Sequence, residues 1–171
     1  KGKTIFVGDT SVHEYPTSEQ MAEIAISTAR VVRLFGFEPK VAFVSHSTFG
    51  QPLTSRTKHI RNAVDLLKEK KVDFEFDGDM QPDVALNSEY EELYPFSKIV
   101  GNANILIMPG QHSAAISYKM MKTLGDTKVI GPLLVGIGLP IEIAPLRSST
   151  SDLINLASIA AYSADIIDYK K

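Results

Sequence analysis

The sequence has no cysteine and no tryptophan among its 171 residues. The absence of cysteine excludes disulfides, a thiol nucleophile and zinc held by cysteine ligands. Neither sign of charge dominates, since 18 Lys and Arg stand against 20 Asp and Glu, and the cations are scattered along the chain. The composition therefore argues against a nucleic-acid partner and against a basic face that binds a membrane surface.

Long apolar runs are missing as well. The longest uncharged stretch, 129–141, is interrupted by three glycines and two prolines and is shorter than the roughly 18 apolar residues that a membrane span needs. No signal peptide is recognisable. We therefore expect a soluble, cytoplasmic protein. Because Lys1-Gly2-Lys3 leads directly into a predicted strand without an initiator Met, we also expect a piece of a longer polypeptide.

The chain does contain enough apolar material for a core. Its hydrophobic fraction is 44%, and a chain of this length buries roughly two thirds of its unfolded surface. Strand and helix patterns alternate along it, so we expect one domain over 1–171, a three-layer α/β/α sandwich with a mainly parallel sheet. Strands are predicted at 4–7, 41–44, 72–76 and 105–108, with glycine-broken strand material at 129–141, and helices are predicted to begin at Thr17, Arg56, Glu89, Ser113 and Thr150.

The stretch 105–119 packs a strand, a turn and a helix start into one segment. Four apolar residues suit a strand buried on both faces, and Pro109-Gly110 ends it. Ser113 is predicted to be the N-cap of the following helix. Ligands bind at the carboxyl ends of strands in open α/β sheets, so Gln111, His112 and Ser113 form a candidate anion-facing lip. An ordinary βα loop is the alternative.

Two more polar segments follow predicted strands. Residues 45–50, S-H-S-T-F-G, form a second candidate binding loop. Residues 77–83, D-G-D-M-Q-P-D, carry several carboxylates but lack the EF-hand glutamate at the twelfth position, so we interpret them as a turn and expect no metal site. Because each segment follows a strand, we expect 45–50, 77–81 and 109–113 to lie on one rim of the sheet.

The last predicted helix, from Thr150 to about Ile167, has apolar residues at helical spacing and is expected to bury a wide face. Ser149 and Asp152 have the spacing of a capping box, which explains Asp152 without catalysis. Arg147 and Ser148, just ahead of the helix, are suited to hold a phosphate.

Five separated blocks, in order and over nearly the whole chain, resemble the phosphate acetyltransferase family. They are G-D-T-S-V and P-T-S-E-Q-M-A-E-I-A within 8–25, R-V-V-R-L-F-G-F-E-P-K-V-A-F-V-S at 30–45, D-G-D-M-Q-P-D-V-A at 77–85, the stretch 105–119, and V-I-G-P-L-L-V-G at 129–136. The resemblance implies an isocitrate/isopropylmalate dehydrogenase-like fold and the second part of a longer family module. S-H-S-T-F-G at 45–50 is more similar to the C-terminal domain of hybrid NADP-dependent malic enzymes than to stand-alone acetyltransferases.

The resemblance also implies a chemistry, in which the thiolate of coenzyme A attacks acetyl phosphate with an aspartate as base and with cations at the phosphate. Asp152 matches that catalytic aspartate. The chain departs from the family where it has Pro145-Leu146 instead of a Ser-Arg pair, Thr123 instead of an arginine, and Ala115 instead of an asparagine. Losing leaving-group cations removes several kcal/mol of transition-state stabilisation, so we expect binding without useful turnover.

Three functions remain open. The first is an acetyl-CoA-binding regulatory domain that forms a homo-oligomer, with no cofactor of its own and with NADP and a divalent metal confined to the parent malic enzyme. The second is an active phosphate acetyltransferase, and the third is a structural dimerisation domain without a ligand. The expected ligand-binding residues are Ser45, His46, Ser47, Thr48, Gly50, Gln81, Gln111, His112, Ser113, Tyr118, Lys119, Arg147 and Ser148.

Overall fold

The computed structural model describes residues 2–9, 11–125 and 127–168. The chain divides into two compact units, Lys1–Ile116 and Ser117–Lys171, called unit 1 and unit 2 below. Unit 1 contains β1 (Phe6–Gly8), α1 (Ser18–Leu34), β2 (Lys40–Val44), α2 (Ser55–Lys70), β3 (Glu75–Met80), α3 (Pro82–Leu86), a 3-10 turn (Ser88–Tyr90), β4 (Ile105–Ile107) and the start of α4 (Gln111–Leu124). Unit 2 contains the rest of α4 and α5 (Thr150–Asp168). The expectation of a single domain over the whole chain stays a prediction.

The sheet of unit 1 has four strands in the order β1-β4-β2-β3. All its neighbours are parallel, with Val41 of β2 opposite Phe76 on one side and Ile105 on the other. Successive residues of β2 point to opposite faces of the sheet and belong to two hydrophobic clusters. Phe43 packs with side chains of α1 and α2, whereas Ala42 packs with α3 and Ala114 of α4. The predicted α/β class with a parallel sheet is confirmed.

The helices that cover one face of the sheet begin where their capping residues predict. The Gln20 amide donates to Thr17 Oγ1 at 3.2 Å, and the Thr17 amide donates to Gln20 Oε1 at 2.8 Å, which completes the predicted capping box of α1. In α2 the same pair of bonds joins Thr54 and Thr57. Each box satisfies two helix-end amides that otherwise lack partners.

The prediction for residues 72–83 is wrong in its boundaries. Strand β3 covers Glu75–Met80, so the residues interpreted as a turn form most of the strand. Its carboxylates have hydrogen-bond donors, since Asp77 accepts from the Gly78 and Lys98 amides and Asp79 accepts from residues of the loop after β2. Gly78 allows this close pairing, because a Cβ there would lie 2.7 Å from the Phe43 carbonyl oxygen.

Further corrections concern other elements. Helix α4 begins at Gln111, so Ser113 lies in its first turn and is not its N-cap; its hydroxyl donates to the Gly110 carbonyl at 3.0 Å. The acidic segment predicted as a helix near Glu89 is a 3-10 turn, preceded by the unpredicted helix α3.

Unit 2 differs from its prediction in two respects. Residues 129–141 contain no strand, because glycines with left-handed φ and prolines without an amide donor interrupt the extended backbone. Helix α5 is confirmed, but its wide buried face is not. Leu156 is buried, whereas Leu153 and Ile154 are 49% and 61% exposed. Among the described residues, no helix is long and apolar enough to cross a membrane.

Candidate ligand-binding rim

The predicted loops follow the carboxyl ends of neighbouring parallel strands, so they lie along one edge of the sheet. This edge, called the rim, consists of Asp9 with 11–16 after β1, 45–51 after β2, 79–81 at the end of β3 and 108–113 after β4. Loops 45–51 and 79–81 are joined directly, since the Phe49 amide donates to the Asp79 carbonyl at 2.6 Å and the Ser45 amide to the Met80 carbonyl at 2.9 Å. The predicted shared rim is confirmed for 45–50 and 109–113, whereas of the predicted loop 77–81 only the end reaches the rim, because 77–80 belong to β3.

Asp79 holds the 45–51 loop in place. It is 0% exposed, and its carboxylate accepts the Ser47 hydroxyl at 2.6 Å and the Gly50 amide at 3.1 Å. Hydrogen bonds to an ionised acceptor are about twice as strong as neutral ones. The buried carboxylate therefore fixes the loop from beneath.

The predicted ligand residues of this loop divide into buried and outward-facing groups. Ser47 and Thr48 are buried, and Thr48 Oγ1 accepts the Gln81 amide at 3.2 Å. Ser45 is half-buried and His46 is exposed, while the Gln81 side chain donates to the His46 carbonyl at 2.9 Å. Ser45 and His46 are thus the members of this group that face solvent, and the ligand role of the whole group stays a prediction.

Gly50 is the point at which a cation reaches the loop. Its φ is +81°, and a Cβ placed on it would lie 2.6 Å from Arg61 Nη1. The Arg61 guanidinium, from α2, therefore lies directly over the Gly50 backbone. Arg61 is not predictable as a rim residue, because nothing in the local sequence of α2 indicates which loop its side chain reaches.

The loop after β1 carries an Asp–His pair that is absent from the predicted site residues. Asp9, with φ 44°, accepts the Val12 amide at 2.8 Å and the His13 amide at 3.0 Å, and its carboxylate contacts His13 Nδ1. Burial opposes ionisation of Asp9, but these hydrogen bonds and that of Ser11 outweigh it and hold its pKa below the usual value. Its position directly after a strand is the signal that could have found it.

The loop after β4 contacts the loop after β1. The Gln111 amide donates to the Glu14 carbonyl at 3.2 Å. His112 is exposed, stacks on Tyr15 with ring centroids 6.2 Å apart, and has Nε2 3.6 Å from the Glu14 carboxylate. The two loops thus form a continuous part of the rim. The structure brings Gln111, His112 and half-buried Ser113 together there, and their ligand role stays a prediction.

The remaining predicted site residues lie in unit 2. Asp152 Oδ2 accepts the Ser149 amide at 2.9 Å and the Ser149 hydroxyl at 2.8 Å, while Ser149 Oγ accepts the Asp152 amide at 3.2 Å. The predicted capping box is confirmed. The Ser149 amide, its hydroxyl and the charges of Lys122 and Lys128 hold the pKa of Asp152 below its usual value.

The other predicted residues of unit 2 are on its surface or near it. Arg147 is exposed, and the Ser148 hydroxyl donates to the Pro145 carbonyl at 2.7 Å. Lys119 Nζ lies 6.0 Å from the ring centroid of Tyr118, within cation–π range. In the described part of the chain, no three His, Asp or Glu side chains converge to hold a metal ion.

A parallel α/β unit with polar loops gathered at its strand ends defines a class of protein that binds ligands at this edge. Within that class, the family of phosphate acetyl/butaryl transferases has a model that matches residues 1–161. The chain belongs to this family, and the resemblance noted in the sequence is confirmed.

Similar proteins include two kinds of enzyme. The chain is 49% identical over 164 residues to the NADP-dependent malic enzyme of Rhizobium meliloti, covering 96% of this chain and 22% of that protein. It is 36% identical over 162 residues to the phosphate acetyltransferase of Clostridium acetobutylicum, covering 94% of this chain and 49% of that protein. The chain thus spans about half of that acetyltransferase and about a fifth of that malic enzyme.

A solved structure shows the same fold. The EutD phosphotransacetylase from Staphylococcus aureus matches with a TM-score of 0.87 and 32% sequence identity, covering 96% of this chain and 52% of that chain.

Proposed function

We propose that this chain is the acetyl-CoA-binding regulatory and oligomerisation module of a larger NADP-dependent malic enzyme, which decarboxylates malate oxidatively to pyruvate elsewhere in its chain. The observation that carries the proposal is the state of Asp152. The aspartate that matches the catalytic base of the family is held in a capping box by Ser149, and its pKa is lowered. A carboxylate oxygen that already accepts two hydrogen bonds from Ser149 is less available to take a proton from a thiol, which favours binding over transfer.

The rim supplies groups for a large polar ligand. Half-buried Ser45 and exposed His46 belong to the loop that Asp79 anchors, and α4 contributes the exposed imidazole of His112. In unit 2, Arg147 and Lys119 are exposed cations suited to the phosphates of coenzyme A. The fold in this proposal is isocitrate/isopropylmalate dehydrogenase-like, the proposed ligand is acetyl-CoA, and no metal is part of the proposal.

Oligomerisation is supported by the surface of unit 2. Extensive exposed apolar surface on a protein marks interaction sites. Unit 2 exposes many large apolar side chains: Met120, Met121, Leu124, Ile130, Leu139, Ile141, Ile143, Leu153 and Ile154. We assign the proposed subunit contact to this unit. The partner in this proposal is a second copy of the chain.

The proposal is tested on the full-length protein by acetyl-CoA inhibition of malate turnover. Replacing Arg147 by alanine removes one charged hydrogen bond to a phosphate, worth about 1–3 kcal/mol, and should raise the inhibitory concentration by about fivefold to 150-fold. Arg30→Ala, which removes an exposed arginine from α1, is the matched control and should leave inhibition unchanged. Equal inhibition of the wild type and the Arg147 variant would exclude Arg147 from the effector site.

Active acetyl transfer is the second candidate, favoured by the 36% identity to the acetyltransferase of Clostridium acetobutylicum. Formation of acetyl-CoA from acetyl phosphate and coenzyme A discriminates between the two functions. We expect negligible turnover. A rate of even a few per second, which is ordinary for an enzyme, would favour the transferase.

A further inference from the structure

Arg61 combines three features that no other described arginine of unit 1 shares. It projects from α2, its guanidinium lies over the backbone of Gly50, and that glycine belongs to the rim. Arg33, by contrast, has Nη1 2.9 Å from Asp73 Oδ1, and neither residue belongs to the rim. Arg61 therefore places a positive charge at the rim.

Within the described part of the chain, the N–H donors of this guanidinium have no acceptor. Among the described residues, no carboxylate oxygen lies within ion-pair distance of Arg61, and its nitrogens make no hydrogen bond. Arginine carries five N–H donors in a planar fork, and the fork matches the geometry of phosphate oxygens. A guanidinium placed on a loop with all its donors unused is suited to an external anion.

The surface beneath Arg61 is fixed. The Gly50 amide donates to the buried Asp79 carboxylate and the neighbouring Phe49 amide donates to the Asp79 carbonyl. Because Gly50 has no side chain, the guanidinium can rest on the backbone. The Arg61 guanidinium thus lies against a backbone segment that Asp79 anchors.

We propose that Arg61 is a phosphate-binding residue of the rim, and that the phosphate is one carried by the acyl-CoA ligand. This inference rests on the proposed function for the identity of the ligand, but the phosphate chemistry stands on the geometry of Arg61 and Gly50. The shared chemistry is a phosphate group, whose second possible source is free inorganic phosphate.

The test measures dissociation constants by calorimetry on the full-length protein, with acetyl-CoA and inorganic phosphate as separate probes. Arg61→Ala should weaken acetyl-CoA binding about tenfold or more, as expected for a lost hydrogen bond between charged groups. Arg61→Lys keeps the charge without the fork and should give an intermediate loss. Arg56→Ala, on the same helix and also exposed, is the matched control and should change binding less than twofold.

Two further readouts separate ligand binding from a structural role. Arg61→Gln removes the charge but keeps most of the aliphatic side chain. If the alanine variant does not fold, the glutamine variant tests whether the guanidinium binds phosphate. Losing a phosphate contact should also flatten the dependence of the dissociation constant on salt, because exposed charge pairs are screened. A purely structural residue would lower the melting temperature without changing that salt dependence.

The outcomes are distinct. If the wild type binds acetyl-CoA and the Arg61 variants bind it equally well, the inference is overturned while the proposed function stands. If the wild type binds phosphate but not acetyl-CoA, and the Arg61 variants lose phosphate, the proposed function fails and the phosphate site stands with free phosphate as its ligand. If the wild type binds neither probe, both are overturned.

Discussion

Replacing Asp79 by alanine tests how the rim is held together. The carboxylate is fully buried and accepts the Ser47 hydroxyl at 2.6 Å and the Gly50 amide at 3.1 Å. Alanine leaves the buried Ser47 hydroxyl and the part-buried Gly50 amide without this acceptor, and an unsatisfied buried donor costs about 1–3 kcal/mol. We therefore expect the free energy of unfolding to fall by about 2–5 kcal/mol.

Urea unfolding measures this loss. With a slope of about 2 kcal/mol per M, a loss of about 3 kcal/mol lowers the midpoint by about 1.5 M. Asp65→Ala is the matched control, because Asp65 is an exposed carboxylate paired with Lys68, and exposed ion pairs contribute about 0–1 kcal/mol.

A double-mutant cycle identifies the partner. Ser47→Ala removes the same hydrogen bond from the donor side, so the combined Asp79→Ala and Ser47→Ala variant should lose about 1–2 kcal/mol less than the sum of the single losses. Additive losses would refute the coupling. A loss below about 0.5 kcal/mol for Asp79→Ala alone would refute the anchoring role of the carboxylate.

Three other changes have defined outcomes. The pKa of Asp9 is lower in the folded than in the unfolded protein. Its ionisation therefore stabilises the fold above the unfolded pKa, near 4, and this stabilisation is lost as the pH falls through the folded pKa. Asp9→Asn should flatten the acid side of a curve of unfolding free energy against pH. Ser149→Ala removes the cap of α5 and should lower the free energy of unfolding by about 1 kcal/mol, measured by thermal unfolding. The same change should raise the pKa of Asp152, measured by NMR titration. Gly78→Ala brings a Cβ to 2.7 Å from the Phe43 carbonyl, and should cost about 2–4 kcal/mol in urea unfolding.

The sequence predicts those parts of the fold that local chemistry determines. Thr17 and Gln20 identify the start of α1 because both partners of the capping box lie within one helical turn. The apolar runs around Val41 and Ile105 predict buried parallel strands, and these are neighbours in the sheet. Since ligand loops follow such strands, the common rim is also predictable.

Contacts between distant residues escape this reasoning. Asp79 and Ser47 are 32 positions apart, so a local reading of D-G-D-M sees turn residues where the chain forms a strand. The contact of Arg61 with Gly50 depends on how α2 packs and on the missing Cβ of that glycine. The apolar spacing of α5 predicts a helix correctly, but spacing alone does not show what covers Ile154, which is exposed in this chain.

The central claim is that this module binds acetyl-CoA. Isothermal titration of the full-length protein with acetyl-CoA, in the absence of malate and NADP, tests it most directly. The account predicts saturable binding, together with a melting temperature that rises with ligand concentration because the ligand binds the folded state. Absence of binding heat and of any change in melting temperature, at millimolar acetyl-CoA, would contradict it.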